Sequence, residues 1–235
     1  MALTLVFIWT YAFMTGGNAP VLRATVMSSV FLLGFLFERE QDAVNSLGFA
    51  AFGLLVFSPD QLFDVGFQLS FVSVLSILLL APILIRACER VSLFRENRLL
   101  RWTAESFLVS LAAIVGVEGL LAYYFQVVTP VALIANIPVI PIVAIVTALG
   151  AGLLAAGFLC PPLAGLFAMC LKVLLNLMAG ILYCFGLIPG GCWYIPPVTT
   201  GQVVIYYIFL SGLYAVARFF IRKGTGLWAG WQAGL

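Results

Sequence analysis

The chain has 235 residues, of which 64% are hydrophobic and 9% are charged, and its formal net charge is +2. This balance excludes an ordinary soluble domain and is typical of a chain that crosses a membrane several times. Histidine is absent, which excludes imidazole acid–base catalysis and histidine-ligated metal sites. The sequence carries no motif for nucleotide binding, metal binding or covalent catalysis, so it predicts neither a cofactor nor an enzyme.

The N-terminal part of the chain predicts two membrane segments, Ala2–Met14 and residues 21–37, separated by the helix-breaking GGNAP at 16–20. Because the first apolar run is short and lacks the flanks of a signal peptide, we expect that more of the domain precedes Met1. Arg23 enters the second segment in its first turn. Its side chain either snorkels to the lipid headgroups, which we favour, or is held inside the protein as a fixed cation.

A charged loop at 38–43 leads to an apolar run at 44–57, which has only 14 residues. At ~1.5 Å per residue, this run measures about 21 Å and falls short of a hydrocarbon core of ~30 Å. It is either a re-entrant segment or a crossing in a locally thinned bilayer. We favour the complete crossing, because the count of crossings then agrees with cytoplasmic positions for the later basic loop and the basic tail.

The stretch SPDQLFDVGFQLSFVSVLS at 58–76 concentrates polar residues in an otherwise apolar chain. Its proline and its two aspartates, among them Asp64, predict a turn at a membrane surface over 58–64. The apolar run 65–85 is long enough to cross the membrane. Small and polar residues of this run are predicted to form a stripe that either packs against other helices or lines a transport path. The stripe comprises Gly66, Gln68, Ser70, Ser73 and Ser76.

The loop at 86–101 carries five arginines and two glutamates, which the positive-inside rule assigns to the cytoplasm. Four further crossings are predicted at 104–126, 127–158, 161–187 and 203–221, and the basic tail then returns to the cytoplasm. The sequence therefore predicts an all-α, polytopic transmembrane helical bundle of about eight membrane segments, with both termini cytoplasmic. We expect one integral membrane domain over residues 1–235 and no soluble domain.

The run 127–158 is interrupted by prolines, and Asn136 precedes the pair Pro138 and Pro141. We expect this helix to be discontinuous or sharply kinked. A broken helix at membrane depth requires protein or water around its freed backbone groups, so the segment either lines a cavity or is a plain proline kink packed by its neighbours.

Two ionisable residues of opposite sign, Glu118 and Lys172, lie within apolar spans. A lone charge at that depth is costly, so each requires a partner, water or neutralisation. Both helices run in the same direction in the predicted topology, and the two residues differ by about 5 Å in depth. We predict that they pair directly or through water. The alternative is a neutral Glu118, with Lys172 bonded to a backbone carbonyl.

Three segments together resemble a known family. GGNAPVLRATVM at 16–27 precedes SPDQLFDVGFQLSF at 58–71, and LIANIPVIPIV follows at 133–143. In order and spacing they are similar to the membrane competence domain of ComEC-type DNA internalisation proteins, and the resemblance covers nearly the whole chain. That family's domain begins with earlier helices, and its longer members carry soluble domains. We therefore expect this chain to be a channel core that is N-terminally incomplete.

The resemblance implies a membrane channel component for uptake of single-stranded DNA across the cytoplasmic membrane during natural transformation. The implied partners are single-stranded DNA, membrane lipid, other competence proteins and a partner that supplies energy. Composition alone equally allows a small-solute permease or a non-catalytic membrane scaffold subunit. The candidate channel or motif residues are Arg23, Asp64, Gln68, Ser70, Glu118, Asn136, Pro138 and Lys172.

Overall fold

The structure is a computed structural model that describes residues 2–36, 42–89, 98–159 and 161–224. Within these ranges it is all-α apart from one pair of two-residue strands, which confirms the predicted fold class. The helices are α1 (Ala2–Met14), α2 (Ala19–Leu36), α3 (Ala43–Phe57), α4 (Val65–Glu89), α5 (Arg98–Phe125), α6 (Val131–Leu159), α7 (Pro161–Gly186) and α8 (Thr200–Gly224). A 3-10 helix, Pro59–Phe63, precedes α4, and the strands are β1 (Val127–Val128) and β2 (Trp193–Tyr194).

Five of the described helices, α4 to α8, contain spans that are long and apolar enough to cross a membrane. The chain is therefore a membrane protein. The helices α1, α2 and α3 have 13, 18 and 15 residues, and α3 measures about 22 Å at ~1.5 Å per residue. The complete crossing by α3, the total of eight crossings and the side on which each loop lies stay predictions. Most of the charged loops predicted at 38–43 and 86–101 lies outside the described residues.

The predicted break between the first two helices is confirmed. Gly16 and Gly17 have φ angles of 78° and 65°, in the left-handed region that side chains beyond glycine rarely adopt. The amide of Gly17 donates to the carbonyl of Ala12 at 3.0 Å and closes the end of α1. Pro20 belongs to the first turn of α2 and not to the break, since a helix start needs no hydrogen bond from the proline nitrogen.

The chain forms two compact units. The first holds residues 1–90, 112–125 and 198–235, and thus α1 to α4, the second half of α5, and α8. Here α2 packs along α3, and both helices contact α4. The hydroxyls of Tyr206 and Tyr207 on α8 donate to the carbonyls of Val115 and Gly116 on α5.

The second unit holds residues 91–111 and 126–197, in which α6 packs along α7. Close packing here depends on Gly152, because a Cβ at this position would lie 2.9 Å from the ring of Phe167. The strands β1 and β2 pair antiparallel, with Val127 opposite Tyr194. This short ladder was not predicted, because two-residue strands carry no periodicity.

The proline-rich segment was predicted to be either discontinuous or sharply kinked, and the first of these alternatives is wrong. The helix α6 is continuous from Val131 to Leu159, with Pro138 and Pro141 inside it. Proline's fixed φ is compatible with a helix, and in a membrane protein neighbouring groups can compensate for the lost hydrogen bond. A kink stays a prediction.

We expect Gly116→Ala to destabilise the first unit, because a Cβ at this position would overlap both Oγ and Cβ of Ser76 on α4. Rotating the hydroxyl of Ser76 would move its Oγ but not its Cβ, so the overlap with the Cβ of Ser76 would remain. Overpacking of this kind costs ~1–3 kcal/mol. Thermal unfolding in detergent measures the loss. Gly48→Ala on α3 is the matched control, since a Cβ there meets nothing within 4 Å. A Gly116→Ala chain that melts with or above the parent would contradict the close α4–α5 approach.

Candidate functional site

The predicted turn at 58–64 is present and joins α3 to α4. The amide of Ser58 donates to the carbonyl of Leu54 at the end of α3, and Pro59 then starts the 3-10 helix. Asp64 follows this helix and precedes α4, where its Oδ1 accepts a hydrogen bond from the amide of Gly66 at 3.2 Å. Aspartate is favoured at such a position because its carboxylate accepts from an amide that has no partner within the helix.

An ion pair connects α2 to this turn. The Nη1 atom of Arg23 lies 2.6 Å from Oδ2 of Asp64. The arginine side chain is 5% exposed, whereas the aspartate side chain is 45% exposed. Arg23 is therefore held inside the protein, and the favoured expectation that it snorkels to the headgroups is wrong. The physical reason is that Asp64 supplies a counter-charge where α2 begins, so the guanidinium need not reach the headgroups.

Gly66 makes the ion pair sterically possible. A Cβ at this position would lie 2.6 Å from Nη2 of Arg23 and 3.4 Å from its Cζ. Any larger side chain would therefore displace the guanidinium. The small residue that the sequence places at the start of α4 is thus explained by the approach of an arginine from α2.

Gln68 connects the turn before α4 to α5 through the two ends of its amide group. Its Nε2 donates to the carbonyl of Leu62 at 2.9 Å, and its Oε1 accepts from the hydroxyl of Tyr124 at 2.9 Å. We name Arg23, Asp64, Gly66, Gln68 and Tyr124 the polar cluster. All five residues belong to the first unit.

The predicted stripe on α4 needs a correction. Residues two positions apart point about 200° apart around a helix, so Gln68 lies on a different face from Gly66 and Ser70. Ser76 is 8% exposed and packs where α4 meets Gly116, which favours the helix-packing interpretation at that position. Ser70 is partly buried, and its role as a path-lining residue stays a prediction.

The other predicted residues belong to α5 or to the second unit. Both carboxylate oxygens of Glu118 are inaccessible to solvent, and the carboxylate interacts electrostatically with Tyr206 on α8. Lys172 is exposed on α7, and Asn136 and Pro138 are partly buried in α6. These three residues belong to the second unit, so the pairing of Glu118 with Lys172 stays a prediction.

Sequence reasoning missed Tyr124. The residue sits near the end of a long apolar helix, where a tyrosine is ordinary and no spacing links it to Gln68. Their contact depends on how α5 packs against α4, which a linear pattern does not encode. The requirement for glycine at 119 was missed for the same reason: a Cβ there would lie 2.8 Å from the ring of Tyr206.

The ion pair lowers the pKa of Asp64 below its ordinary value of 3.8. The hydrogen bond from Arg23 is the main cause, and the hydrogen bond from the amide of Gly66 adds to it. A lowered folded pKa means that the charged carboxylate stabilises the folded chain above the ordinary pKa. This contribution is lost as the pH falls through that value toward the folded pKa.

We therefore expect Asp64→Asn to be less stable than the parent at about pH 6, and we expect this difference to shrink as the pH falls below 3.8. Denaturant unfolding in detergent, followed across this pH range, measures the difference. Asp60→Asn is the matched control, because Asp60 is an exposed carboxylate in the same turn. A difference between parent and Asp64→Asn that does not change with pH would show that the ionic interaction is not its source.

Comparisons with known proteins identify the family of this chain. The profile of the Competence protein family matches residues 1–219. ComE operon protein 3 of Bacillus subtilis (strain 168) is 32% identical over 124 residues, which cover 53% of this chain and 14% of that relative's length. No solved structure matches the chain. The family match spans most of the sequence and confirms the resemblance drawn from the segments at 16–27, 58–71 and 133–143: the chain belongs to the Competence protein family.

Proposed function

We propose that this chain is a component of a membrane channel for the uptake of single-stranded DNA across the cytoplasmic membrane during natural transformation. Membership of the Competence protein family and the five membrane-spanning helices support this proposal. Single-stranded DNA, other competence proteins and an energy-supplying partner are the proposed partners, because the sequence has no nucleotide-binding motif of its own.

The observation that carries the proposal is the ion pair between Arg23 and Asp64. It joins two of the three segments that carry the family resemblance, 16–27 and 58–71, which lie apart in the sequence. Ionisable residues in membrane domains are costly and commonly mark substrate or ion paths. A pair that served stability alone is often replaceable by apolar side chains of similar volume. The buried guanidinium therefore favours a functional role for this end of the first unit.

The polar cluster offers a transport path hydrogen-bonding groups with little net charge. Asp64 compensates Arg23, while the amide of Gln68 and the hydroxyl of Tyr124 are neutral. Such a lining lowers the cost of moving a polar strand through an apolar protein without trapping it by strong phosphate binding. Asn136 and Lys172 are the candidate polar lining of the second unit.

We expect Arg23→Ala and Gln68→Leu to reduce transformation to a small fraction of the parent level, because each removes a polar group of the cluster. Gly66→Ala should act in the same direction by displacing the guanidinium. The measurement is transformation frequency in a competent host that carries the chain in its natural context. Membrane fractionation of each variant monitors insertion.

Arg101→Ala is the matched control. Arg101 forms an exposed ion pair with Glu105 at 2.7 Å on one helix, and exposed pairs of this kind contribute little. Normal transformation by the inserted Arg23 and Gln68 variants would contradict the channel role of the cluster and would favour a small-solute permease or a scaffold subunit.

The proposed topology places the termini and the loop between α4 and α5 in the cytoplasm, with 58–64 and 188–202 outside. The arginine-rich composition of residues 86–101 supports this orientation. We expect a phosphatase fusion after Arg98 to be inactive and one within 188–202 to be active, because the phosphatase folds only outside the cytoplasm. The reverse pattern would overturn the whole orientation.

A further inference from the structure

We propose that the end of the first unit that carries the polar cluster holds single-stranded DNA by stacking on its bases and not by clamping its phosphates. This inference rests on the proposed function and names the mode of contact with the substrate. The stacking surface is an aromatic rim made of Phe63, Tyr123, Tyr124 and Phe125.

The rim residues expose large aromatic surfaces on two segments that Gln68 connects. Phe63 ends the 3-10 helix and is 78% exposed, and Phe125 ends α5 and is 57% exposed. Tyr123 and Tyr124 are each 38% exposed, and their rings meet edge to face with centroids 5.0 Å apart. Every base has a π-face, so exposed aromatic rings bind a strand with little regard to its sequence.

Gln68 connects the two parts of the rim. Its amide bonds both the carbonyl of Leu62, which precedes Phe63, and the hydroxyl of Tyr124. The ion pair between Arg23 and Asp64 fixes the same turn from the side of α2. The side chain of Tyr124 and the backbone next to Phe63 are fixed in this way, so ordering this part of the rim costs little conformational freedom when a ligand binds.

The charges at this end disfavour a phosphate clamp. In the described segments that form it, 19–25, 58–68 and 119–125, Arg23 is the one cation and stands against Asp60 and Asp64. Arg23 is also buried and already bonded to a carboxylate. A polyanion gains little from such a surface, because phosphate binding depends on neutralisation by accessible cations. The bases are the part of the strand that this surface can attract.

The test measures binding by the full chain in lipid nanodiscs. One ligand is a fluorescent oligothymidylate, and the other is an abasic strand of equal length and charge. We expect the parent to bind the thymidylate at least about tenfold more tightly than the abasic strand, given the usual contribution of aromatic stacking. The logarithm of the affinity should fall with the logarithm of salt concentration with a slope shallower than about −1, since each neutralised phosphate contributes ~0.7 in a single strand.

The variants Tyr123→Leu and Phe125→Leu keep an apolar surface but each removes an aromatic ring. The variant Tyr123→Trp keeps an aromatic ring at position 123. We expect the leucine variants to bind thymidylate about tenfold more weakly and the tryptophan variant to bind as the parent does. Phe209→Leu is the matched control, because Phe209 is 69% exposed on α8 away from this rim.

Unchanged thymidylate affinity in the leucine variants would overturn this inference and leave the proposed function standing. An equal loss of thymidylate affinity in Phe209→Leu would have the same consequence. Leucine variants that are extracted differently from the membrane but bind DNA as the parent does would also overturn the inference and would identify the rim as a lipid-interface belt. A parent that binds neither strand and supports no uptake would overturn the proposed function as well.

Discussion

The rest of the first unit depends on one electrostatic constraint, the cost of keeping the guanidinium of Arg23 inside an apolar protein. The constraint is met by Asp64, whose position is set by a proline-started turn and by the cap of α4. It also requires glycine at 66, because the guanidinium occupies the space of a side chain. A single buried charge thus explains the carboxylate, the turn and the missing Cβ.

Helix contact in the same unit relies on small residues and tyrosine hydroxyls more than on apolar burial. Ser76 fits against Gly116, and Tyr206 and Tyr207 donate to backbone carbonyls of α5. This chemistry suits a membrane, where lipid is as apolar as leucine and apolar contacts between helices gain little. Close approach and hydrogen bonds then decide which helix faces meet, and they also set the surroundings of Glu118.

Accessible cations are scarce in the described segments around the polar cluster, and this scarcity bears on the proposed function. A DNA channel is expected to attract phosphates, yet Arg23 is paired and the exposed Lys172 lies in the second unit. A transport path, however, must bind a strand strongly enough for it to enter and weakly enough for it to leave. Neutral hydrogen-bonding groups and aromatic surfaces meet both requirements, so a low charge density is compatible with a conducting role.

The sequence by itself determined the membrane class, the approximate helix positions and the turn at 58–64, and it identified Arg23, Asp64 and Gln68 as candidate residues. Apolar length, proline and the cost of charge in a membrane act locally and can be read along the chain. Only the tertiary structure decided that Arg23 turns inward to Asp64, that Gln68 bonds Tyr124, and that α6 continues through Pro138. These outcomes depend on which helix faces meet, and that choice is made by side-chain contacts between segments distant in sequence.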